Sequence, residues 1–141
     1  MEETLESRYS FFFDYIYYRI IQVYFKWDGR NGATALIGVV MIQTLLILDA
    51  IAFITRLLLN REETVYYANT GKWFAILLFI ILMIYNYSKY QGRYNKLRLF
   101  WKNEDKVTRI GKGILVLLSL IVPWAPLILI GIFMQKMIVF L

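Results

Sequence analysis

Residues 33–48 read ATALIGVVMIQTLLIL: sixteen residues without a charge. After one carboxylate, Asp49, the apolar run resumes as AIAFIT to Thr55. Two further uncharged stretches follow, Trp73–Ser88 and Gly113–Gln135. Runs of this length match the hydrocarbon thickness of a bilayer, roughly 30 Å, when coiled as helices. The spacing therefore predicts an all-α integral membrane bundle with spans over 33–58, 73–88 and 113–135. The whole chain of 141 residues reads as a single membrane domain.

Composition narrows the chemistry. Hydrophobic residues make up 60% of the chain, and the mean hydropathy is +0.54, well above that of an ordinary water-soluble domain. There is no Cys and no His, so thiolate metal sites, disulfides and the commonest general base are absent. The expectation is a non-enzymatic protein without a catalytic centre, metal or cofactor. The net charge of +6 is concentrated beside a span, which points to anionic lipid headgroups and not to nucleic acid. The N-terminal Met1-Glu2-Glu3-Thr4-Leu5-Glu6 is acidic, unlike the basic start of a signal peptide, so the run from Ala33 is expected to be retained.

Charge also orients the spans. Segment 89–112 holds eight Lys/Arg and two acids, whereas 56–72 holds three and two, and 1–32 holds four and five. Because Lys and Arg near span ends favour the cytoplasmic side, 89–112 is expected in the cytoplasm of a bacterial cell and the C-terminus outside the inner membrane. Sixteen residues of span two cover only about 24 Å, so Lys72 and Lys89 are expected to snorkel to the headgroups. Trp73, Phe74, Tyr85, Tyr87 and Tyr90 suit interfacial belts. Pro123 and Pro126 each remove a backbone donor and predict a kink in span three.

Residues 8–27 read RYSFFFDYIYYRIIQVYFKW, half of them aromatic. Ser10, Asp14, Gln22 and Lys26 recur near a four-residue rhythm, with Tyr18 filling the gap. The pattern predicts an amphipathic helix lying at the membrane surface. The alternative is a fourth span, in which Asp14 and Arg19 would need partners inside the bilayer. Trp27-Asp28-Gly29-Arg30-Asn31-Gly32 supplies the break before span one.

Within span one, Ala35, Gly38, Ile42, Leu45, Asp49, Ala52 and Arg56 alternate by three and four and share one seam. Its small residues permit close helix approach. Asp49 in an apolar run must face protein, water or a cation. It reads either as a polar clasp to another helix, with Arg56 of a neighbouring chain one choice, or as part of an ion pathway. Gln43 is a second pathway candidate, although it lies about 120° from Asp49 around the helix.

Beyond span two, Tyr90, Tyr94, Leu97 and Trp101 continue an apolar stripe while Lys89, Arg93 and Lys96 form a basic face. The pattern predicts that span two continues as a cytoplasmic helix to about residue 103, Gly92 weakening it by about 1 kcal/mol. The stripe needs the N-terminal helix, a second subunit or lipid as a partner. The chain is thus expected to be a self-associating or partner-binding membrane subunit. The alternative is an oligomeric ion-permeable pore or depolarising effector. Lipid chemistry by Asp49, Arg56 and the tyrosines lacks any arranged acid, base and nucleophile.

Overall fold

The computed structural model describes residues 12–139. All regular elements among them are helical: α1 (Phe12–Asp28), a 3-10 turn (Gly29–Asn31), α2 (Ala33–Leu58), α3 (Arg61–Tyr90), α4 (Tyr94–Phe100), α5 (Lys106–Ile121) and α6 (Trp124–Val139). Three stretches are long and apolar enough to cross a membrane: Ala33–Leu58, Glu62–Tyr90 and Lys106–Ile130.

Local chemistry sets the boundaries. Gly29 and Gly32 both take left-handed φ, 59° and 60°, which reverses the chain between α1 and α2. The Thr34 N–H donates to Asp28 Oδ2 at 2.6 Å, satisfying a donor of the first α2 turn. Only Leu59 and Asn60 separate α2 from α3. The Asn60 N–H donates to Glu63 Oε2 at 2.9 Å, and Glu62 and Glu63 lie at the favourable end of the helix dipole. This start explains why α3 begins twelve residues before the apolar run at Trp73. At about 1.5 Å per residue, the 29-residue span reaches roughly 44 Å, and the shortness inferred from the uncharged core disappears.

The far end of α3 differs from the expectation. The helix stops at Tyr90 instead of continuing to residue 103. Gly92 adopts φ 71°, outside the helical region, and the Arg93 N–H closes the turn on the Tyr90 carbonyl at 3.0 Å. The bend lets Tyr94 and Leu97 of α4 fold back toward α1; a straight extension would carry them away from it.

Asp105 caps α5, accepting from the Thr108 N–H at 3.0 Å. The third span is interrupted at Val122–Pro123 and restarts at Trp124. Pro126 sits in the first turn of α6, where its missing N–H leaves no helical bond unmade.

The core lies at one end of the bundle. Ile16, Tyr17 and Ile21 of α1 pack with Ala35, Val39 and Ile42 of α2, with Tyr90, with Leu97 and with Val116 of α5. Helix α1 is therefore the centrepiece of the packing. Its polar stripe does not face outward throughout, because Asp14 is 4% exposed. Exposure in α1 is confined to Phe12 and to the stretch from Val23 to Trp27. Ser10 of that stripe lies outside the described residues. Beyond Leu45, no residue of α2 is buried.

Candidate functional site

Polar side chains gather in three places. The first is the basic end, where α1 meets α3, α4 and α5. Asp14 Oδ1 lies 2.8 Å from Lys89 Nζ and accepts from the Tyr90 hydroxyl at 2.7 Å. Lys89 Nζ also donates to the Tyr90 hydroxyl at 3.2 Å. The Tyr17 ring stacks on Tyr90 with centroids 4.2 Å apart. Beside it, Lys112 Nζ pairs with Glu104 Oε1 at 2.9 Å, and the Tyr15 hydroxyl donates to Glu104 Oε2 at 2.9 Å. Trp101 packs edge-on to Tyr15 and stacks on Tyr18.

Burial pushes the Tyr17 phenol up to about 12. Burial likewise raises Tyr15, helped by its bond to the Glu104 carboxylate. Tyr18 is raised by burial against the opposing pull of Arg109. All three phenols therefore remain protonated across the physiological range.

The second place is between α2 and α3. Asn86 is fully buried and donates to Gln43 Oε1 at 2.7 Å and to the Leu82 carbonyl at 2.8 Å. Gln43 returns a longer contact to Asn86 Oδ1 at 3.5 Å. Paired amides between apolar helices hold them in one register, since each amide otherwise faces hydrocarbon unsatisfied.

The third is the opposite half of the bundle. A groove of about 740 Å³ opens between α2, α3 and Ile130 of α6. Ala52, Ala68 and Gly71 make it shallow-walled, and Arg56, Tyr67 and Phe74 line it. One turn along from Ala52, Asp49 Oδ1 is enclosed with no hydrogen-bond partner among the described residues.

The residues singled out in the sequence fall into different settings. Along the seam, Ala35, Ile42 and Leu45 are buried, and Gly38 meets α1: a Cβ there would stand 2.9 Å from Ile20 Cδ1. Asp49 and Ala52 are half-buried and Arg56 is exposed on the open half. The seam thus divides into a part that holds α1 and a part that does not. Lys89 is committed to Asp14, so it does not share a solvated face with Arg93 and Lys96, which are exposed on the α3–α4 turn and α4. Pro123 is buried and Pro126 half-buried.

Sequence reasoning passed over Asn86, Tyr90 as an acid partner, Glu104 and Lys112. Asn86 carried a usable signal: it is a lone amide between Ile84-Tyr85 and Tyr87 in an otherwise apolar run. The Asp14–Lys89 pairing had none, because no local pattern joins them. Comparison with protein-family models, curated proteins and solved structures gave no match.

Proposed function

We propose that this protein is a non-enzymatic subunit of an inner-membrane assembly, associating through the half of the bundle remote from its aromatic core. The observation that carries this reading is the unpartnered Asp49 oxygen beside the small-residue groove. A carboxylate enclosed in an apolar span is costly without a donor, and helices with small residues accept another helix closely. In this reading the basic end lies in the cytoplasm and the groove toward the outer leaflet.

Mass measurement of the full chain extracted in mild detergent tests it. An oligomer or hetero-complex is expected, weakened by Asp49→Leu. A monomer under all conditions, or assembly untouched by Asp49→Leu, rejects the reading.

A second reading, an ion-permeable oligomer, draws on the same Asp49 oxygen. The amide of Gln43 lends it little, being occupied by Asn86. Conductance in liposomes that is lost in Asp49→Asn with assembly intact favours it. A monodisperse oligomer that passes no ions excludes it.

A further inference from the structure

Between α1, α2 and α5 runs a groove of about 520 Å³, apart from the association surface and independent of that reading. Its walls are apolar, formed by Ile20, Gly38, Ile114, Leu117 and Leu120. Ile114 and Leu117 are more than half exposed, so the groove is open along the flank of the bundle that lipid covers if α5 spans the membrane.

Arg19 stands in this groove in a fixed pose. Its Nη1 donates to Gln22 Oε1 at 2.9 Å, and Gln22 Nε2 is in turn held by the Tyr18 hydroxyl at 2.6 Å. Its Nη2 lies over Gly113, 3.1 Å from where a Cβ would stand, so the guanidinium fits because that residue has no side chain. Among the described residues the acids nearest this end are engaged: Asp14 with Lys89, Glu104 with Lys112 and Asp105 with the Thr108 N–H. Among the described residues Arg19 has a neutral amide and no carboxylate partner.

We propose that this groove binds one anionic phospholipid, its phosphate on Arg19 and one acyl chain along Ile20, Ile114, Leu117 and Leu120. A guanidinium recognises a phosphate through two parallel donors, and a groove of this size suits a single chain. The amide of Gln22 orients Arg19 without neutralising it. This is a defined site, distinct from diffuse attraction of lipid to exposed lysines such as Lys96.

Native mass spectrometry of the full chain in mild detergent, titrated with phosphatidylglycerol or phosphatidylcholine, tests the proposal. One phosphatidylglycerol is expected to be retained where phosphatidylcholine is not, because the choline ammonium offsets the phosphate charge and is repelled by the Arg19 guanidinium. Arg19→Gln should weaken that preference about tenfold, Arg19→Lys should restore much of it, and Lys96→Gln should leave it unchanged. Leu117→Trp, placed on the exposed wall, should weaken binding with Arg19 intact. Soluble glycerophosphate should not displace the lipid. Equal retention of the two lipids, an unaltered preference in Arg19→Gln, or an equal loss in Lys96→Gln overturns the site. Displacement by glycerophosphate, or full binding in Leu117→Trp, overturns the role of the acyl groove. Circular dichroism of each variant distinguishes loss of binding from loss of fold.

Discussion

Asp14 Oδ1 and Lys89 Nζ meet at 2.8 Å, joining the start of α1 to the end of α3. The carboxylate side chain is 6% exposed and the lysine side chain 25%. Tyr90 supplies a second donor to the same oxygen, so the buried charge is both paired and hydrogen-bonded.

Removing the acid takes the carboxylate from Lys89 and the acceptor from the Tyr90 hydroxyl. Asp14→Ala is expected to destabilise the fold by about 2 kcal/mol, discounted from the cost of a fully buried pair because Lys89 reaches solvent. Asp14→Ala with Lys89→Met should recover part of that loss. Reversible unfolding in detergent, run as a double-mutant cycle, measures the coupling; additive losses would show that the pair contributes nothing.

The amide clasp is predicted to be weaker. Gln43→Leu should cost about 1 kcal/mol, and the cycle with Asn86→Leu should return a coupling near 0.6 kcal/mol. Deletion of either amide should leave the ring cluster of Tyr15, Tyr18 and Trp101 intact. Emission from Trp101 in a chain whose Trp27, Trp73 and Trp124 are replaced by Phe, followed beside global unfolding, separates the two.

Two glycines with the same φ should respond differently to alanine. At Gly29 nothing lies within 4 Å of a new Cβ, so the cost is about 1 kcal/mol of backbone strain. At Gly32 the new Cβ meets the Ile21 side chain and stands 2.9 Å from the Tyr17 hydroxyl. There the strain adds to overpacking, for about 2–3 kcal/mol. Thermal midpoints of the two variants rank them; equal midpoints would refute the contact.

Alkaline pH should release α1. The Tyr17 phenol is raised to about 12 by burial, above its unfolded value near 10. A group whose folded value is raised stabilises fully below the unfolded value and loses that stability as pH rises through the folded one. Unfolding should therefore become easier between pH 10 and 12, and Tyr17→Phe should flatten that dependence. Phenolate absorbance, recorded with circular dichroism, follows both events.

At acid pH the start of α5 should fray. Thr108, through its side chain first and its N–H second, holds the Asp105 carboxylate below its ordinary value. A lowered folded value gives stability that is full above the unfolded value and lost as pH falls through the folded one. The protection of the Thr108 amide against hydrogen exchange, relative to its intrinsic rate, should fall below about pH 4 in the native chain, and Asp105→Asn should remove the dependence while keeping the cap.

Much of the architecture was legible because span length and charge clustering are local quantities. The apolar runs beginning at Ala33 and before Gly113, and the interruption at Pro123, follow from residue types within a few turns. Other features were not legible. The Gly92 turn looked like a tolerable defect because the cost of glycine in a helix is small, and only the packing of Tyr94 and Leu97 on α1 makes the bend worthwhile. The start of α3 was missed because its cap, Asn60 with Glu63, lies outside the apolar run.

The sequence by itself determined three helices long and apolar enough to cross a membrane, a basic end, and an aromatic helix in need of cover. Those properties are sums over neighbouring residues. The tertiary structure decided that Asp14 meets Lys89, that Gln43 meets Asn86, that Arg19 meets Gln22, and that an Asp49 oxygen is enclosed without a hydrogen-bond partner among the described residues. Periodicity states which residues share a face, but not which faces meet. That choice belongs to contacts between distant segments, where burying each charge or amide is costly unless its partner arrives with it.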